Sequence, residues 1–400
     1  MALLGLALPD TARLRLDAGA PELRLEELAL ERELEPGRPL RLIDRGAGVV
    51  ASGVADPENG VVRVWSRQDV RGFDAAFFRR RVQSALAIRR AVGLLGEEES
   101  FRLINESGDG LPGLTADFYA GYAVICVPGK GLLTYGRLLA EAMLIPSSEG
   151  GPGCKGAVVK VRGKDPQDRS AKEEILGESP PAKLVTRELG VPYEVHLLGS
   201  LNVGLFTDMR EHRRNLARFA TGRRVLNTFA YTGALSVAAA RAGATAVTSV
   251  DLSGGVLSWA KENFRLSNLD PNDAKYAFET SDTRRYFERA REANLTFDTI
   301  ILDPPTVSAA RASQWSMKKD YPDLIALATR LLPVGGGVLW VSGNPRRGPG
   351  VLTHAIEGIR RAGKRAALLE LGGLPPDYPT PPDWAEARYL EVCLLHVSDD

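Results

Sequence analysis

Beyond residue 200, apolar runs and amphipathic stretches alternate regularly. Strands are expected at Arg224–Phe229, Ala246–Asp251, Lys275–Glu279, Asp298–Asp303 and Gly337–Val341, each a short apolar run bounded by turn residues. Helices are expected between them, at Gly233–Ala242, Gly254–Ser267, Thr283–Glu292, Tyr321–Leu332 and Val351–Ala362, where apolar positions recur at helical spacing. Such alternation predicts an α/β architecture with a parallel, doubly wound sheet. Two closing strands, Arg365–Leu371 and Arg388–Val397, have no helix between them, so one is expected to return antiparallel.

The first half reads differently. Strand-like stretches at Leu40–Ile43, Gly48–Val54 and Val61–Trp65, separated by Pro36-Gly37 and Glu58-Asn59-Gly60, predict a small β-rich module that forms a barrel. A helix over Phe77–Leu95 follows, its polar face carrying Arg79, Arg80, Arg81, Arg89 and Arg90. Residues 100–200 read as a second α/β piece, with a strand at Ala123–Val127, a helix around Tyr135–Met143 and a strand at Ala157–Val161. The Gly-, Pro- and Ser-rich flanks of that last strand, within Pro146–Pro181, read as loops.

A chain of 400 residues exceeds what one core usually supports, so two or three domains are expected. Lys plus Arg number 51 against 50 acids, which excludes a simple polycation. Any nucleic-acid surface must come from local clustering. Three scattered cysteines exclude a disulfide framework or a zinc cluster, so no metal is expected. No apolar run reaches the roughly 18 residues that cross a bilayer. Asp10, Arg13, Arg15 and Asp17 interrupt the amino terminus, which therefore does not read as a signal peptide. A soluble cytoplasmic protein without membrane contact is expected.

In doubly wound sheets, ligands bind beyond the carboxyl ends of the strands, where strand order reverses. Asp251, Asp282 and Asp303 lie at or just past such ends. The first turn, Asn227-Thr228-Phe229-Ala230-Tyr231-Thr232-Gly233, places one glycine where the backbone must turn tightly. Asp251 follows Gly233 by 18 residues, about the spacing at which an acid reaches ribose hydroxyls. A dinucleotide would call for a run of three glycines around its pyrophosphate. A single glycine favours a ligand with ribose but no diphosphate, and S-adenosylmethionine meets that description. Its charged methionine end would suit Asp208 and the main chain of the turn. Against this, a single Asp after a strand is commonly a helix cap. The most specific segment is Asp303-Pro304-Pro305-Thr306, a stiff ledge whose two prolines remove backbone donors and which suits gripping the edge of an extruded base.

These residues carry a resemblance. Asn105 through Leu114, Gly204 through Arg210, Asn227 through Gly233 and Asp303 through Ser308 resemble the bacterial class I methyltransferases of 23S ribosomal RNA, the Rlm group. That group includes RlmI-like cytosine-C5 enzymes and an RlmK-like guanine-N7 domain. The resemblance spans nearly the whole chain. It implies a PUA-type RNA-binding barrel over 1–74, a linker helix and central α/β domain over 75–199, and a Rossmann-like methyltransferase domain over 200–400 with a mostly parallel seven-stranded sheet. It further implies that Phe206, Asp208 and Arg210 line the cofactor pocket. Phe229, Tyr231 and Gly233, with Asn227 in the same turn, would border the methionine end. Asp251 would take the ribose, Asp282 the adenine amine, and Asp303 would lie near the transferring methyl group. The partner would be 23S ribosomal RNA or its precursor; a homodimer is a further expectation.

The chain departs from the C5 pattern. Cytosine C5 is a poor nucleophile, and enzymes that methylate it first add a cysteine thiolate at C6. Neither the Asp303–Ser308 loop nor Trp340-Val341-Ser342-Gly343-Asn344 contains cysteine; Cys126, Cys154 and Cys393 lie elsewhere. Guanine N7 has an in-plane lone pair and needs only alignment. Ser342-Gly343-Asn344-Pro345-Arg346-Arg347-Gly348 also resembles the guanine-N7 group, with Ser308, Ser342 and Asn344 placed to meet a base edge. An RNA methyltransferase acting at N7, with Asp303, Pro304, Pro305 and Asn344 at the catalytic ledge, is the expectation, and an exocyclic nitrogen the second choice. Cytosine C5, a silent RNA-binding assembly factor and a nicotinamide oxidoreductase remain as alternatives. Arg79, Arg80 and Arg81, with Arg346 and Arg347, are the expected RNA contacts. His212 with Arg210, Arg213 and Arg214, and the pairs Arg223-Arg224, Arg284-Arg285 and Lys318-Lys319, are further candidates for phosphate.

Overall fold

The computed structural model describes residues 3–30, 32–96, 98–162, 173–305, 316–345 and 348–399. The chain divides into two compact units. One comprises Met1–Gly190, Val195–Val203 and Pro376–Ala387; the other comprises Val191–Glu194, Gly204–Pro375 and Arg388–Asp400.

The first unit begins with β1 (Leu4–Ala7), α1 (Asp10–Asp17), β2 (Glu22–Arg24), β3 (Pro39–Asp44), β4 (Gly48–Asp56) and β5 (Val61–Ser66). These strands form a five-stranded sheet in the order β1-β3-β4-β5-β2. Alternating residues (Leu40 and Leu42 of β3, Val62 and Val64 of β5) turn inward around Leu16 and Leu23. The helix α2 (Ala75–Ala91) starts at Asp74, whose carboxylate caps it by accepting from the Phe77 amide. Then come β6 (Ser100–Asn105), β7 (Thr115–Tyr119), β8 (Tyr122–Val127), α3 (Leu133–Leu144), β9 (Gly156–Val161) and β10 (Glu173–Gly177), making a second sheet in the order β10-β9-β8-β7-β6. Two short strands follow, β11 (Leu184–Glu188) and β12 (Val191–Val195). An aromatic cluster of Trp65, Phe73, Phe77, Phe78 and Tyr135 is shared by the regions on either side of residue 74.

The Asn105–Leu114 segment does structural work here. Asp109 is buried and accepts two bonds from Arg89, 2.6 and 2.8 Å, and one from the Asn105 amide. Arg89 also donates to the Asp377 carbonyl, and Asn105 to that of Pro379. A Cβ on Gly108 would lie 1.7 Å from the Pro379 oxygen, so only glycine fits. Arg89 was expected on the polar face of its helix; it is fully buried instead, because its charge is neutralised by Asp109.

The second unit contains α4 (Arg210–Ala220), β13 (Arg224–Thr228), α5 (Ala234–Arg241), β14 (Ala246–Asp251), α6 (Gly254–Leu266), β15 (Tyr276–Thr280), α7 (Thr283–Glu292), β16 (Thr299–Leu302), α8 (Met317–Thr329), β17 (Gly337–Gly343), α9 (Val351–Arg361), β18 (Lys364–Gly372) and β19 (Glu391–Asp399). The sheet order is β15-β14-β13-β16-β17-β19-β18. The first five strands in that order run parallel, and β19 is antiparallel to both its neighbours. This is a Rossmann-like sheet. Its order reverses between β13 and β16, so the carboxyl ends of those two strands frame the binding crevice. Among the described residues, no helix is long and apolar enough to cross a membrane.

Candidate active site

The turn after β13 is built from residues in an unusual backbone region. Phe229 and Tyr231 have φ of +56° and +49°, and Gly233 has +75°. For the two aromatic residues this conformation costs energy that the surroundings must supply. They do so by hydrogen bonding. The Ala230 amide donates to the Val250 carbonyl at 3.0 Å. The Tyr231 amide donates to Asp251 Oδ2 at 2.9 Å, and the Ser253 amide to Asp251 Oδ1 at 2.9 Å. Thr232 Oγ1 donates to the Gly204 carbonyl, and Asn263 Nδ2 to the Thr232 carbonyl. A Cβ at Gly233 would lie 2.7 Å from that of Ala260. The result is a rigid turn with an acid held at its rim.

Aromatic rings stand beside the turn. The Phe206 and Tyr231 centroids are 5.5 Å apart, those of Tyr231 and Trp259 6.4 Å, and Phe206 is 47% exposed. Leu252, next to Asp251, is 55% exposed, which leaves an apolar surface beside the carboxylate. Burial pushes the Tyr231 hydroxyl up to about 12.

Across the crevice, Asp303 directly follows β16. Ser342 of β17 donates its hydroxyl to Asp303 Oδ1. The buried Tyr321 hydroxyl sits 3.0 and 2.9 Å from the Leu302 and Ser342 carbonyls, tying the two strand ends together. Burial raises the Asp303 carboxyl to about 6; the Ser342 hydroxyl works against that rise, and the nearby Asp208 adds to it. Asp208 accepts a 2.8 Å bond from the Tyr389 hydroxyl. Pro304 is buried and Pro305 exposed. Asn344 Oδ1 is a buried acceptor with no donor among the described residues.

The expected site residues thus separate. Phe206, Asp208, Phe229, Tyr231, Gly233, Asp251 and Asp303 belong to one unit, around the strand-order reversal. Asn227 and Arg210 are buried: Asn227 Nδ2 donates to Ser236 beneath the turn, and Arg210 lies inside α4. Asp282 caps α7, accepting from the Arg285 amide at 3.1 Å. His212 and Arg213 do not face solvent phosphate: His212 Nε2 is 2.7 Å from the Gly373 carbonyl, and Arg213 donates to that of Phe206. Arg224 is bound to Asp298 through two nitrogens, and Arg284 to the Asp320 carbonyl. In the other unit, Arg79 and Arg80 are exposed, while Arg81 is half-buried and donates to the Trp65 carbonyl. Thr306, Val307, Ser308, Trp315, Arg346 and Arg347 lie outside the described residues. Sequence reasoning missed Trp259, Tyr321 and Tyr389, each delivered from a distant segment with no local signal.

The site fits S-adenosylmethionine. Asp251 keeps lone pairs beyond the two spent on amides, enough to accept from ribose hydroxyls. Leu252 offers a surface for a flat ring, and Asp208 a charge for the amino-acid end. The fold and site define a class I methyltransferase. Residues 147–392 match the S-adenosylmethionine-dependent methyltransferase family model, and the chain belongs to that family. Among its relatives, a protein of Tolumonas auensis named ribosomal RNA large subunit methyltransferase I is 31% identical over 373 residues, covering 91% of each chain. Its namesake in Klebsiella pneumoniae is 30% identical over 374 residues, covering 92% of each. A solved structure described as a methyltransferase complexed with SAH superposes with a TM-score of 0.85 at 26% identity, covering 99% of this chain and 100% of the other. A SAM-dependent methyltransferase from Streptococcus mutans gives 0.84 at 25% identity, covering 98% of this chain and 100% of its own.

Proposed function

We propose that this methyltransferase modifies a base of 23S ribosomal RNA in the cytoplasm, and that a ring nitrogen, guanine N7, attacks the methyl group directly. The bound cofactor supplies an electrophilic methyl group; the chain supplies alignment. Asp251 and the turn hold one side of the crevice, and the Asp303-Pro304-Pro305 ledge with Ser342 and Asn344 meets the base edge on the other. The relatives' names support the RNA substrate, as does the exposed Arg79-Arg80 pair following a small β-rich module that we read as PUA-like.

The observation that carries the non-covalent route is the state of the thiols. Burial raises all three: Cys126 and Cys393 above their ordinary range, and Cys154 to about 12. A thiol held neutral is not a nucleophile. None of the three lies on the Asp303 ledge, and Cys393 is packed in the core on β19, paired with Val341 of β17.

Mass spectrometry of nucleosides from ribosomal RNA incubated with the enzyme and methyl donor tests this reading. The expected product is 7-methylguanosine. 5-Methylcytidine as the product would refute it.

A further inference from the structure

The first unit holds a cleft of about 500 Å³, lined by its own residues alone. The walls come from the end of α1 and the turn after it, from β5, from α2, and from the segments 107–112 and 381–383. Leu16, Val64, Pro112 and Pro381 supply apolar surface, while Arg67, Arg81, Asp17 and Asp383 supply charge of both signs. A volume of that size is in the range that small organic ligands occupy.

The two cations are not spent on acids. Arg81 donates to the Trp65 carbonyl, and its buried Nε has no acceptor among the described residues. Arg67 donates to the carbonyls of Leu16 and Ala20. Of the acids, Asp17 is taken by Arg13, whereas Asp383 accepts no hydrogen bond among the described residues. Glycine admits two of these groups. A Cβ on Gly19, where φ is +90°, would lie 2.1 Å from Asp383 Oδ2, and one on Gly110, where φ is +70°, would lie 2.9 Å from Arg81 Nη1. Burial pulls both guanidiniums below their ordinary range. A half-buried guanidinium with unspent donors carries an uncompensated desolvation cost, and a guest that accepts from it removes that cost.

We infer that this cleft recognises a guanine nucleotide. Its mixed charge disfavours simpler guests: a bare anion would meet Asp383, and an organic cation would meet Arg67 and Arg81. Guanine offers both complements at once. Its O6 and N7 accept from a guanidinium, and its N1–H and N2–H groups donate to a carboxylate. Adenine carries an amine where guanine carries O6 and has no N1–H, so it fits neither partner. The prolines and Leu16 give the flat faces of the base apolar cover. In an RNA strand such a site registers a guanine other than the modified base, and so selects sequence context. That source rests on the proposed RNA substrate; the guanine site itself does not, because it is read by binding and not by methyl transfer.

Calorimetry of the full chain saturated with SAH tests this, the SAH keeping nucleotides out of the cofactor crevice. GMP is expected to bind, and AMP to bind roughly tenfold more weakly or worse, the discrimination that a paired set of base contacts gives. Asp383→Asn should erase the preference for GMP and leave thermal melting unchanged, since that carboxylate is exposed and holds nothing else in place. Arg81→Lys keeps the charge but loses the planar fork, and should weaken GMP by about tenfold. A single-stranded RNA pentamer with a central guanosine among uridines separates the two sources of the base. Binding at least as tight as that of GMP assigns the site to a strand, and weaker binding assigns it to a free nucleotide. Absence of GMP binding, equal affinity for GMP and AMP, or an Asp383→Asn variant that still prefers GMP would overturn the inference. 5-Methylcytidine as the reaction product would overturn the proposed target atom and leave these binding results standing.

Discussion

The two sides of the crevice hold their acids in opposite ways. Asp251 is fixed by two backbone amides on a turn whose strained residues would otherwise relax. Asp303 is fixed by one hydroxyl at the end of a buried strand, and its surroundings favour the protonated form. The amides make Asp251 part of the scaffold, so loss of either the acid or the turn should damage both. Asp303 is a group whose charge state the fold leaves adjustable. Four substitutions separate these cases.

The largest effect should come from the turn itself. Gly233→Val puts a branched side chain where φ is +75° and where even a Cβ would meet that of Ala260 at 2.7 Å. Strain and overpacking each cost about 1–3 kcal/mol, so a loss of roughly 3–5 kcal/mol in urea unfolding is expected, together with loss of SAH binding. A variant as stable as the parent would show that the turn is not rigid.

Asp251→Ala ranks next. It removes the acceptor of two amides and of any ribose hydroxyl, interactions of about 1.5–3 kcal/mol where a charge is involved. Calorimetry should show SAH affinity reduced roughly 10- to 100-fold. Unchanged affinity would remove Asp251 from the site.

The same contrast explains what the sequence disclosed. Strand-end acids, a single glycine and regular alternation are local signals, and they picked out Asp251, Gly233 and nearly every element of the seven-stranded sheet; β14 and α7 coincide with expectation residue for residue. Local signals also leave much out. Asp282 follows the same strand-then-acid pattern as Asp251, and the spacing does not disclose that it also caps α7 by accepting from the Arg285 amide. The helix α4 was missed because its buried face is half polar, with Arg210, His212 and Arg213 inside, so no apolar periodicity marks it. In the first unit β6, β7 and β10 were missed, β10 lying in a stretch expected to be loop. Tyr321, Tyr389 and Trp259 reach the site through tertiary contacts, to which spacing is blind.

The smallest effect, and the one that most sharpens the comparison, concerns Asp303. Its folded-state value near 6 lies above the ordinary 3.8, so between those values the folded chain holds more protons than the unfolded one. Stability therefore falls as pH rises through that window, and the penalty is complete above it. The displacement corresponds to about 3 kcal/mol at most, since the side chain retains some solvent contact. Asp303→Asn removes the charge while keeping an acceptor for Ser342. It should gain roughly 1–2 kcal/mol over the parent at pH 8, with no gain at pH 4, where the parent's acid is already protonated in the fold. Urea unfolding without cofactor at the two pH values reads this directly. Asp251→Asn should show no such gain, because both carboxylate oxygens accept from backbone amides and an Asn side chain keeps only one acceptor oxygen for them. If both variants respond alike, the two acids are held in the same way, and the contrast between turn and ledge is lost.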